Sequence, residues 1–96
     1  MYKRQLQGLD AIRDCAQLRV LILEGYALMT SVDELRCCTQ LTKLTLYRCR
    51  TLTDISAIQA FRQLTKLYII GCDSLRSISP LVYCTQLAEL HILPLS

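Results

Sequence analysis

Leu and Ile alternate with other residues at four places along the chain: Leu21 and Leu23, Leu44 and Leu46, Leu67 and Ile69, Leu90 and Ile92. A period of two is the pattern of a strand with one buried face, so each place predicts one short strand. The places lie 23 residues apart, and the same interval relates longer segments. LTKLTLYRCRTLTDISAIQAFRQ, from Leu41, and LTKLYIIGCDSLRSISPLVYCTQ, from Leu64, open on the same LTKL and close on the same Gln. LRVLILEGYALMTSVDELRCCTQ, from Leu18, fits the frame, and LAELHILPLS, from Leu87, begins it again. LQGLDAIRDCAQ, from Leu6, matches the second half of a unit. The chain is therefore expected to be one domain over 1–96. It divides into a partial repeat at 6–17, full repeats at 18–40, 41–63 and 64–86, and a partial repeat at 87–96.

The other columns of this frame also have a physical reading. Tyr26, Cys49 and Cys72 stand where the chain must turn away from the strand. Met29, Leu52 and Leu75, then Val32, Ile55 and Ile78, supply further inward positions. Asp10, Asp33, Ser56 and Ser79 are N-cap types, and Pro80 follows where a first helical turn tolerates it. Ile12 and Cys15, Leu35 and Cys38, Ile58 and Phe61, Leu81 and Cys84 are three apart, on one face of a short helical turn. One strand and one short turn cannot bury their own core. Stacked copies can, with the strands paired in a parallel sheet and the Leu columns forming a continuous interior.

These residues carry a family likeness. LTKLTLYRC resembles the L-x-x-L-x-L-x-x-N/C segment of leucine-rich repeats. LTDISAI is similar to the L-x-D-I-x-x-L segment of the internalin and phosphatase-regulatory-subunit class. The unit here is one residue longer than is usual in that class, and Cys or Tyr26 replaces Asn at the turn. The Cys-bearing 23-residue form resembles repeats of large kinetoplastid leucine-rich proteins. The resemblance implies an α/β leucine-rich repeat solenoid, a right-handed arc with a parallel sheet on its concave face and short helical turns on its convex face. It also implies that the concave sheet is the face that binds a partner.

Composition narrows the function. The chain is 52% hydrophobic, and roughly one residue in five is Leu, which excludes a disordered segment. A net charge of +3 is too mild to argue for nucleic acid. Lys3 and Arg4 are not followed by the apolar stretch of a secretion signal, and no run is long enough for a membrane helix. The expectation is a soluble, cytoplasmic protein with no membrane partner.

Candidate chemistry is sparse. Five of the six Cys fall in two columns, Cys15, Cys38 and Cys84 with Phe61, and Cys49 with Cys72. A position filled by Cys or Phe reads as a buried apolar site. Adjacent repeats could still bring Cys49 and Cys72, which share a column, to disulfide distance. Cys37 is left over as the expected exposed thiol. With no C-x-x-C and a single histidine, His91, no metal site is expected, nor any cofactor. No nucleophile elbow, P-loop or dinucleotide fingerprint occurs, and Asp10, Asp33 and Asp54 are accounted for at caps and turns. The chain does not read as an enzyme.

The strand residues opposite the Leu columns form three outward rows. The first is Val20, Lys43, Lys66 and Glu89; the second Ile22, Thr45, Tyr68 and His91; the third Glu24, Tyr47, Ile70 and Leu93. Tyr, Ile and Lys together suit protein recognition, although β-branched and aromatic residues also favour strands for their own sake. The candidate partner-binding residues are Ile22, Glu24, Lys43, Tyr47, Lys66, Tyr68, Ile70 and His91, and Ile22, Tyr47, Tyr68 and Ile70 are expected to form an exposed patch. The expected function is a protein–protein interaction module. The alternatives are a regulatory or adaptor subunit of an enzyme such as a phosphatase or ubiquitin ligase, a structural spacer of a larger array, and a thiol-dependent redox or metal protein. An array without polar caps is also expected to self-associate end to end, or to be part of a longer one.

Overall fold

Leu21, Leu23, Leu44, Leu46, Leu67 and Ile69 are all buried, as the alternation requires. The structure, a computed structural model, describes residues 2–4, 16–26 and 28–94. Among the described residues the sheet has five strands: β1 (Tyr2–Arg4), β2 (Val20–Glu24), β3 (Lys43–Tyr47), β4 (Lys66–Ile70) and β5 (Glu89–Leu93). They lie in chain order and every pair is parallel. From β2 onward the register is the repeat: Leu21, Leu44, Leu67 and Leu90 are successive partners, as are Leu23, Leu46, Ile69 and Ile92. Each fully buried Leu or Ile contributes ~1.5–3 kcal/mol over full exposure. β1 was not expected. Its Tyr2-Lys3-Arg4 has no apolar alternation, and Tyr2 pairs with Ile22 at a spacing of 20 residues, outside the repeat frame.

The turn after each strand is made one residue before the Tyr26, Cys49 and Cys72 column. Gly25, Arg48 and Gly71 have φ of 76°, 57° and 71°. This left-handed geometry suits glycine, and Arg48 adopts it with a side chain. The turn aims each N–H at the last carbonyl of the next strand: Gly25 to Tyr47 at 2.9 Å, Arg48 to Ile70 at 2.8 Å, Gly71 to Leu93 at 2.9 Å. Thr hydroxyls add a second ladder, Thr42 to the Arg19 carbonyl and Thr65 to the Thr42 carbonyl, both at 3.1 Å.

The helical turns are 3-10, at Asp33–Leu35, Ser56–Ala60 and Ser79–Tyr83. Asp33, Ser56 and Ser79 open these turns as first helical residues and do not cap them. The N-cap positions are Val32, Ile55 and Ile78, with no side-chain cap bond. The side chain two residues earlier takes that role: Asp33 N–H donates to Ser31 Oγ at 3.4 Å, Ser56 N–H to Asp54 Oδ1 at 2.8 Å, and Ser79 N–H to Ser77 Oγ at 3.2 Å. A short polar side chain bonding the backbone two residues on mimics a turn and starts the next segment. The turn residues Leu35, Cys38, Ile58, Phe61 and Cys84 are buried with Tyr26, Met29, Val32, Leu52 and Ile55 in one core.

The core thins toward β5. Ile78 is 49% exposed, Leu90 42% and Ile92 40%, although their columns predict inward positions. Among the described residues no strand packs over them. Asp10, Ile12, Cys15 and most of the partial repeat at 6–17 lie outside the described residues.

Candidate functional site

The three outward rows exist as registered cross-strand partners. Val20, Lys43, Lys66 and Glu89 are successive neighbours, as are Ile22, Thr45, Tyr68 and His91, and Glu24, Tyr47, Ile70 and Leu93. Parallel pairing without an offset is what sets residues 23 apart side by side.

The rows converge around Tyr68. Its ring stacks on His91, with centroids 4.9 Å apart and planes 11° from parallel. Its hydroxyl donates to Glu89 Oε2 at 2.6 Å. Lys43 Nζ lies 5.5 Å from the ring centroid, a cation–π distance. Glu89 also faces Lys66 Nζ at 3.9 Å and His91 Nε2 at 4.0 Å. The Tyr68 hydroxyl, with Lys66, His91 and Lys43 around it, holds the Glu89 carboxyl below its ordinary range. The same bond, followed by desolvation, raises the Tyr68 phenol. Beside this group Arg48 lies over the Tyr47 ring at 5.3 Å, next to Ile70.

Lys43, Lys66, Tyr68 and His91 are thus brought together, and Tyr47 and Ile70 adjoin them. Ile22 and Glu24 lie on β2, away from the Glu89 group. The expected exposed patch is corrected. Ile22, Tyr47, Tyr68 and Ile70 are each half-buried against their neighbours, because side chains in one row cover one another. Glu89 and Arg48 were missed as site residues. Glu89 is the hub of the cluster, and its membership of the Lys43–Lys66 row was the available signal. Arg48 had none, since its position depends on the left-handed turn.

The thiols lie elsewhere. Cys38, Cys49, Cys72 and Cys84 are buried thiols, and Cys37 is an exposed one. The Cys49 thiol is pushed up by its hydrogen bond to Cys72 and by burial. Burial raises Cys84 as well. Cys49 and Cys72 are therefore neighbours as free thiols. Among the described residues no three His, Cys, Asp or Glu side chains gather as a metal would require. Among them, too, no helix is long and apolar enough to cross a membrane.

No protein-family model matches the chain, and a search of curated proteins finds no match.

Proposed function

We propose that the chain is a leucine-rich repeat solenoid acting as a protein-recognition module, and that its outward sheet face binds the partner without catalysis. The observation that carries this reading is the Tyr68 cluster. Tyr68, His91, Glu89, Lys66 and Lys43 hold one another above the sheet rather than joining the core. Side chains fixed before contact lose less freedom on binding. Tyr combines area with a polar handle, and Tyr47 and Ile70 extend the apolar ground beside it. The adjacent cations Lys43 and Lys66 favour a partner that presents carboxylates.

Capture from the source cell with the wild-type chain, followed by binding measurements on the purified partner, tests the reading. The Tyr47→Ala/Tyr68→Ala variant should bind at least about tenfold more weakly, the loss of one or two central aromatic contacts. Equal affinity for variant and wild type would contradict it.

A further inference from the structure

β3 lies inside the sheet, with β2 and β4 paired on its two sides. Two cations stand at its ends on the outward face, Lys43 as its first residue and Arg48 just after its last. Each rests on a tyrosine. Lys43 Nζ lies 5.5 Å from the Tyr68 ring centroid, and the Arg48 guanidinium carbon 5.3 Å from that of Tyr47. Among the described residues neither cation is in an ion pair with a carboxylate. Of the carboxylates in the outward rows, Glu89 is already engaged by Tyr68, Lys66 and His91, and Glu24 stands on β2 with a contact of its own.

Arg48 is present against the preference of its backbone. Its φ is 57°, in the left-handed region where the equivalent turns use Gly25 and Gly71, at 76° and 71°. All three turns donate the same N–H bond to the following strand, so that bond needs no side chain. Glycine adopts this conformation without the steric cost that a Cβ brings. What arginine adds is a guanidinium over Tyr47, exposed to solvent. Residues kept in a costly backbone conformation concentrate where a side chain serves function.

A guanidinium held over a ring still presents its N–H fork, which fits a carboxylate in a bidentate way, and a lysine ammonium adds a point charge. Lys43 and Arg48 are separated by roughly 15 Å along the strand. An extended chain covers that span in about four or five residues. Between the two cations lie Thr45 and Tyr47 of β3 and their register partners Tyr68 and Ile70 of β4, all half-buried. That ground suits a short apolar stretch flanked by two acidic residues. Nucleic acid suits it less, because two cations are few and Glu24 and Glu89 on the same face repel phosphates.

We propose, resting on the recognition role argued above, that Arg48 and Lys43 form a two-point clamp for an extended acidic segment of a protein partner, laid along β3 over Tyr47 and Tyr68. End-blocked hexaglutamate, with hexaglutamine as its neutral counterpart, is the probe, titrated at low salt into isotope-labelled chain. Hexaglutamate should shift the Arg48 side-chain N–H and the Tyr47 and Tyr68 signals, and hexaglutamine should not. Arg48→Gly and Lys43→Gln should each weaken hexaglutamate binding at least about fivefold. Arg48→Gly should at the same time raise the urea midpoint, because the turn loses its strained residue. Arg62→Gln, an exposed cation beyond the Ser56–Ala60 turn, should leave binding unchanged. No shift with millimolar hexaglutamate would overturn the clamp, as would equal binding by Arg48→Gly and wild type, or an equal loss in Arg62→Gln. Tighter binding of a single-stranded oligonucleotide than of hexaglutamate would also overturn it. A captured partner that needs Tyr47 and Tyr68 but binds Arg48→Gly and Lys43→Gln as tightly as wild type would overturn the clamp and leave the recognition face standing.

Discussion

The Tyr68 hydroxyl lies 2.6 Å from Glu89 Oε2, joining residues on neighbouring strands across the outward face of the sheet. The bond fixes the Tyr68 ring where it stacks on His91. It also sets the ionisation of both partners, and this gives the first test. In Tyr68→Phe the Glu89 carboxyl should titrate at higher pH than in the wild type, as read by carbon NMR of its side chain. A depressed carboxyl adds stability above the ordinary glutamate range and loses it as pH falls through its own lower value. The wild type should therefore lose more stability than Tyr68→Phe on acidification through that window. An unmoved Glu89 titration would show that the bond is not populated in solution.

Gly25 separates backbone geometry from packing. Its φ is 76°, and a Cβ placed there would meet nothing within 4 Å. Gly25→Ala should still destabilise the chain by about 1 kcal/mol, from the left-handed conformation alone. Urea unfolding would measure this. An unchanged midpoint would mean that the turn relaxes to another conformation.

Thiol reactivity reads the core. Among the described cysteines Cys37 is exposed, while Cys38, Cys49, Cys72 and Cys84 are buried. A disulfide reagent should label Cys37 fast and these four only on unfolding, because burial shields all four and Cys49 and Cys84 are in addition held protonated. Cys37→Ser should remove that fast reaction. Rapid labelling of Cys49 or Cys84 in the native protein would contradict the buried column.

Leu46 and Lys43 stand three residues apart in β3 on opposite faces. Leu46 is 0% exposed, so Leu46→Asp buries an unpaired charge and should cost on the order of 4 kcal/mol or more, enough to unfold the array. Lys43→Asp should leave the thermal melt within a few degrees of wild type. Equal losses would mean that the two faces are not distinct.

The strands β2 to β5, their register and most of the core were legible because a period of two within a period of 23 leaves one arrangement that buries every Leu column. The left-handed turns were less so. Gly25 and Gly71 mark the column, but Arg48 breaks its pattern. The caps were misplaced by two residues because Ser and Asp occur at both positions, and only the backbone geometry distinguishes Asp54, which accepts, from Ser56, which donates. β1 gave no signal, since Tyr2–Arg4 pairs without apolar alternation. The outward rows followed directly from the register. The stacking of Tyr68 on His91 and the hub at Glu89 depend on rotamers that spacing does not specify.

The inward columns hold the fold, and under the proposed function the outward rows meet the partner. Amide NMR shift mapping, with the captured partner added to labelled chain, tests it most directly. Shifts should concentrate at Thr45, Tyr47, Tyr68, Ile70 and His91. Shifts centred instead on the helical-turn residues Arg36, Gln59 and Val82, with the sheet unmoved, would contradict it.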